Sequence, residues 1–216
     1  MLELALKSGR GKVLEVLCIG AHCDDIEIGC GATLMRLAGE HALSVSWIVL
    51  TSTPARAAEV RRSAAYVLRR ARRSNVQIAS FKDGYLPAQW ADAKTYFESL
   101  KRLPRPDVIF THERDDRHQD HRVANELTWN TFRNHLVFEF EIPKFDGGLT
   151  QPNLYVPVSR KIAERKFTQL HRAYVSQRGK SWFAEETLRG LMRLRGLECN
   201  APGGYAEAFH APKVRL

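Results

Sequence analysis

Two textures alternate along the chain. Short, nearly unbroken apolar runs fall at residues 13–20, 44–51, 76–80, 107–111 and 136–142 and read as buried strands. Between them, apolar positions recur at helical spacing. Ile28, Ala32, Leu34, Met35 and Leu37 mark a helix over 26–39, and Val60, Ala64, Val67, Leu68 and Ala71 mark one over 56–73. Further helices are expected over 91–103 and 120–133. Strict alternation of this kind predicts a Rossmann-like three-layer α/β fold, with a mainly parallel central sheet covered on both faces. In such sheets ligand sites gather at the C-terminal ends of the strands. Beyond Pro143 the texture changes to a loop, a short strand at 154–156, helices over 159–173 and 182–195, and a Gly/Pro-rich tail from Ala201. No repeat or long linker divides the 216 residues, so one domain spanning 1–216 is expected.

Composition narrows the class without naming a chemistry. The chain is 44% hydrophobic and 26% charged, an ordinary globular balance. No apolar run approaches the ~20 residues of a membrane span. Residues 1–12 include Glu3, Lys7, Arg10 and Lys12 and do not read as a secretory signal, so a cytoplasmic protein is expected. The four cysteines have no framework spacing and are expected to be free thiols. Cys18 and Cys30 read as core residues; Cys23 is a candidate metal ligand by type, but its position between His22 and Asp24 is expected to aim it away from any ion bound there. The net charge of +9 is concentrated in helices, where Arg61, Arg62, Arg69, Arg72 and Arg73 read as a solvated face. No nucleic-acid-binding module accompanies them, and no nucleic-acid partner is expected.

Chemistry enters at two strand ends. His22-Cys-Asp-Asp25 follows the first apolar run, and Asp116-Arg-His-Gln-Asp-His121 follows the fourth. A histidine and a carboxylate three residues apart at a strand-to-helix turn can converge on one ion, with Asp24 left beside it to move protons. A histidine from the second cluster completes a His/Asp/His zinc site with an open fourth position, the arrangement that catalytic zinc requires. In this reading His22, Asp25 and His121 are the ligands. Fe2+ suits the same donors. The bland alternatives are that Asp24 and Asp25 merely cap the next helix and that Gly29-Cys-Gly31 serves close packing of helix on sheet.

Ala21-His-Cys-Asp-Asp25 resembles the AHPDD motif of the PIG-L/LmbE family of zinc-dependent N-deacetylases, with Cys23 in place of proline. Asp116-x-His118-x-Asp120-His121 resembles that family's second motif, which usually reads HPDH, with Gln119 in place of proline. Weaker matches are Arg56-x-x-Glu59, Asp83-Gly84, Tyr174-x-Ser-Gln177 and Tyr205-Ala-Glu-Ala-Phe209. The resemblance implies a hydrolase that removes an N-acetyl group from an amino sugar or its glycoconjugate. It assigns the same three ligands, Asp24 as general base, and His118 as oxyanion stabiliser or acid toward the leaving amine. Asp120 is then expected to orient His118. Arg56 matches a position that points into the substrate pocket; its rival role is one more member of the basic face. Asp83-Gly84 reads as a turn, His112 as a neighbour of the site, and Glu207 as either reaching the site or lying on the surface. The rival functions are a metal-assisted esterase or phosphoesterase and a basic binding module with a structural metal. The oligomeric state is open.

Overall fold

The computed structural model describes residue 6 and residues 12–215. Residues 1–11 other than Leu6, on which most of the signal-peptide expectation rests, lie outside the described residues. Seven strands form one sheet: β1 (Leu14–Gly20), β2 (Leu43–Thr51), β3 (Arg73–Phe81), β4 (Val108–His112), β5 (Leu136–Phe140), β6 (Leu154–Val158) and β7 (Tyr205–His210). Their order is β3-β2-β1-β4-β5-β7-β6. The first five are parallel, and β7 runs antiparallel between β5 and β6.

Helices cover both faces. On one side lie α1 (Asp25–Glu40), α2 (Pro54–Val67) and α5 (Arg160–Ala173), and on the other α3 (Trp90–Ser99) and α4 (Gln119–Thr131). The sixth helix, α6 (Glu185–Glu198), packs on β7. Strand β1 shows why its sequence is nearly continuous in apolar residues. Val16 and Cys18 enter the core under α1, whereas Leu17 and Ile19 enter the core under α3 and α4. Both faces of a parallel strand are buried, so polar alternation disappears. Gly29 answers to packing, as expected: a Cβ there would stand 2.4 Å from the Phe140 ring. No helix among the described residues is long and apolar enough to cross a membrane.

Three expectations need correction. The helix expected over 56–73 ends at Val67, and the chain from Arg73 already belongs to β3. Arg69, Arg70 and Arg72, which continued the helical run, sit in the turn between them. The C-terminal tail supplies β7, which sequence patterning missed because Tyr-Ala-Glu-Ala-Phe-His holds residues of weak strand preference around an acid. Glu207 in that strand neither reaches the site nor lies on the surface. It is buried, pairs with Lys166 at 2.6 Å, and accepts from the backbone N–H groups of Ala32 and Thr33 inside α1 at 2.9 and 2.6 Å.

Strand order reverses between β1 and β4, leaving a crevice beyond their carboxyl ends. Both sequence clusters open into it.

Candidate active site

The first cluster is a tight turn from β1 into α1. Thr51 at the end of β2 pins its entrance, donating to the Ala21 carbonyl from its N–H and its hydroxyl at 2.9 and 2.8 Å. Asp24 occupies the N-cap position of α1 but makes no side-chain cap bond. Helix capping therefore does not account for it. Its Oδ1 instead accepts from the Arg56 guanidinium at 2.9 Å, and its buried Oδ2 has no partner among the described residues. Burial raises this carboxyl above the ordinary carboxylate value, against the opposing pull of Arg56. Arg56 thus reaches the site by clamping Asp24, rather than belonging to the solvated basic face. Cys23 points away as expected, its thiol buried against Ser52 Oγ at 3.2 Å and pushed up to about 11 by burial.

Asp25 opens α1, and its Oδ2 accepts from the His22 backbone N–H at 2.6 Å. Burial opposes its ionisation, yet the imidazoles of His121, His112 and His22 hold it well below the usual carboxylate range. His22 Nδ1 lies 3.3 Å from Asp25 Oδ2, His121 Nε2 lies 3.5 Å from the same oxygen, and the two nitrogens are 3.0 Å apart. Atoms bound to a tetrahedral centre at ~2.0–2.1 Å stand about 3.3–3.4 Å from one another, so this triangle is of the right size.

The far sides of both rings decide which nitrogens are free. His121 Nδ1 donates to Asp116 Oδ2 at 2.8 Å, which leaves the Nε2 lone pair turned into the triangle. Burial and then the adjacent His112 press His121 down to about 3, so its imidazole is neutral. His22 Nε2 lies 3.2 Å from Asp83 Oδ1 and 3.3 Å from Asp120 Oδ2, which similarly leaves Nδ1 for the triangle. Burial opposes the charged form of His22, yet Asp25, Asp120 and Asp83 raise it well above the usual imidazole range. A proton therefore lies between the two nitrogens, where a divalent cation would instead meet two nitrogen lone pairs and a carboxylate oxygen. The residues fit a divalent metal.

His112 is part of this centre, buried and stacked on His121 with ring centroids 3.8 Å apart. Its Nε2 lies 2.9 Å from the Ala21 N–H and 3.1 Å from Asp25 Oδ2. Accepting from the first or donating to the second leaves no lone pair for a metal there. It therefore stands against Asp25 and the Ala21 N–H rather than among the donors, signalled in the sequence only by its place at the end of β4.

His118 stands at the N-cap of α4, edge-on to His22 at 4.7 Å and stacked on His121 at 4.6 Å between ring centroids. The two clusters therefore meet. The expected orientation of His118 by the Asp120 carboxylate is corrected. The bond runs from the Asp120 backbone N–H to His118 Nδ1 at 3.2 Å. The carboxylate itself accepts from the backbone N–H groups of Gly84 and Leu86 at 2.7 and 3.0 Å. Since His118 Nδ1 is an acceptor, its neutral ring carries the proton on Nε2. Burial and then the nearby His22 lower its tendency to take up a second proton. The turn at Asp83 does double duty: it supports Asp120, and its own carboxylate, 66% exposed, stands at the rim beside His22. Asp116 is the partner most easily overlooked. It accepts from His121, from Lys144 Nζ at 2.8 Å and from the His118 N–H at 2.8 Å.

Comparison with known proteins adds three findings. The PIG-L family, described as GlcNAc-PI de-N-acetylase, matches residues 17–132. Among curated proteins, the uncharacterized deacetylase YaiS of Escherichia coli strain K12 is 46% identical over 52 residues, which cover 24% of this chain and 28% of YaiS. Among solved structures, the N,N'-diacetylchitobiose deacetylase of Pyrococcus horikoshii is similar with a TM-score of 0.72 and 20% identity, over 91% of this chain and 82% of that one. GalB, the 4-carboxy-2-hydroxymuconate hydratase of Pseudomonas putida KT2440, is similar with a TM-score of 0.78 and 15% identity, over 94% of this chain and 98% of that one. At these identities the two structural likenesses establish the fold alone.

Proposed function

The chain belongs to the PIG-L, GlcNAc-PI de-N-acetylase family, and on that premise we propose that it is a metal-dependent hydrolase removing the N-acetyl group from an amino sugar or its conjugate. The observation that carries the reading is the triangle of His22 Nδ1, Asp25 Oδ2 and His121 Nε2 lying beside an unpartnered carboxylate oxygen of Asp24. The three donors would hold Zn2+ or Fe2+. A bound divalent ion supplies Lewis acidity to water and to the substrate carbonyl.

The remaining steps fall to the side chains. Asp24 Oδ2 accepts a proton from the attacking water, while Arg56 keeps Oδ1 engaged and the carboxylate aimed. His118 offers Nε2–H to the carbonyl oxygen as negative charge grows on it. The proton on Asp24 then passes to the departing nitrogen. Water adds to the carbonyl carbon, the C–N bond breaks, and the products are acetate and the amine, which takes up the proton of the acetic acid. Asp83 at the rim offers an acceptor to substrate hydroxyls.

The test is acetate release from a panel of N-acetylglucosamine conjugates by metal-loaded protein, with and without a chelator. Asp24→Asn should lower turnover by ~10²–10⁴-fold while leaving the bound metal in place. No acetate from any conjugate, or release indifferent to chelation, would overturn the reading. Loss of metal in Asp24→Asn would exchange the roles of Asp24 and Asp25.

A further inference from the structure

The segment Tyr174-Val-Ser-Gln177 touches neither the donor triangle nor His118, yet it is built into the walls on which the site stands. Tyr174 follows α5, is fully buried, and donates its hydroxyl hydrogen to the Cys23 carbonyl at 2.6 Å. Two residues later, Ser176 donates from its N–H and its hydroxyl to the two carboxylate oxygens of Glu59, at 2.9 and 2.6 Å. Glu59 lies one turn along α2 from Arg56, and Arg56 holds Asp24. The contacts close a ring: the Cys23–Asp24 turn, Arg56, the first turns of α2, Glu59, Ser176, Tyr174, and back to Cys23.

We propose that Tyr174 and Ser176 are positioning residues for Asp24. One end of the segment fixes the peptide that precedes Asp24. The other fixes the helix whose guanidinium aims its carboxylate. The proposal rests on the reading of Asp24 as the proton acceptor. The residue at position 23 sharpens it. Proline, usual in the motif that this turn resembles, locks φ by its own ring. Cys23 has no such constraint, and the Tyr174 hydroxyl is the contact that holds the Cys23–Asp24 peptide from outside.

The perturbation is Tyr174→Phe, which removes one oxygen and keeps the ring in its edge contact with Phe183. Small misplacement of a reacting group costs on the order of 10–100-fold in rate. The expected result is a fall of that size in kcat, KM within about twofold of wild type, and unchanged metal content. In an Asp24→Asn background the same substitution should cost nothing further, because its effect runs through Asp24. In a Cys23→Pro background the loss should shrink, because the ring restores the constraint. Ser176→Ala should reproduce the kcat-selective loss more weakly, and it serves if Cys23→Pro fails to fold.

A second readout needs no substrate. Amide hydrogen exchange over residues 21–28 should rise in Tyr174→Phe while β7 stays protected. If the wild type released no acetate the functional reading would fail, and the exchange measurement would still decide the positioning role. An unchanged kcat in Tyr174→Phe, an equal loss in the Asp24→Asn background, a loss of metal, or unchanged exchange over 21–28 would each overturn the proposal.

Discussion

Asp116→Asn isolates the support beneath one proposed ligand without touching a donor atom. In the structure Oδ2 accepts from His121 Nδ1 and from Lys144 Nζ, whereas Oδ1 accepts from the His118 N–H alone. An asparagine will keep its amide oxygen where two donors converge. Its NH2 group then meets the His118 N–H donor to donor. The His121 ring keeps its tautomer, because a carbonyl oxygen still accepts from Nδ1. What is lost is the negative charge that makes the imidazole a stronger donor to a cation. Removing such a partner typically weakens metal binding by about 10–100-fold, or ~1.4–2.7 kcal/mol. Competition titration of Zn2+ against a chromophoric chelator measures the change in Kd. A Kd within twofold of wild type would refute the assignment of His121 Nε2 as a ligand atom backed by Asp116. An effect as large as that of His121→Ala would show that the turn itself had collapsed.

Two further predictions concern buried charge. Tyr174 Oη has one hydrogen, given to the Cys23 carbonyl, so its 2.6 Å contact with Glu27 Oε1 requires a proton on Glu27. Burial raises Glu27 from 4.5 to about 8. The unfolded chain then releases this proton at lower pH than the folded one, so stability is fully present below about pH 4.5 and is lost as pH rises toward 8. Glu27→Gln should therefore melt roughly 10 °C above wild type at pH 8, with the gap closing toward pH 5. A constant offset across that range in thermal melts would contradict the protonated assignment. Lys166→Met strands the Glu207 carboxylate on two backbone N–H groups and should cost about 3–5 kcal/mol, or roughly 10 °C in Tm. Adding Glu207→Gln should recover much of the loss, and a calorimetric Tm within a degree of wild type for Lys166→Met alone would count against the pair as a structural lock.

The parts legible in the sequence are those decided within a turn or a strand. The apolar run of β1 reports burial on both faces, and the spacing of His22 and Asp25 reports convergence at a strand end. Three contacts were not legible, because each joins residues far apart in the chain. Asp120 looked like a support for His118 by proximity, yet its carboxylate is captured by backbone N–H groups of the Asp83–Leu86 turn. Arg56 is divided in sequence between the pocket and the basic face, and only the packing of that helix's first turn shows its partner to be Asp24. Glu207 gives no sign in sequence that Lys166 and two N–H groups of α1 await it in the core. Patterning predicts which face of an element is apolar, but not which distant partner satisfies a buried charge.

The fold does not choose the reaction, since this chain resembles both a deacetylase and a hydratase in architecture. Nor would an activated water, because the base proposed at Asp24 would serve addition to a carbonyl or to a carbon–carbon double bond. The selection has to come from charge at the rim. A substrate such as a carboxylated muconate is a multiple anion and wants free cations around the reacting centre. Here the two cations that contact the site's acids are already engaged, Arg56 by Asp24 and Lys144 by Asp116. The exposed group beside His22 is the carboxylate of Asp83. A polyanion would meet repulsion there with no free guanidinium or ammonium among those two to offset it. A neutral, hydroxyl-rich ring would find an acceptor. That balance is the ground on which the proposed N-acetylated sugar is preferred to a polyanion.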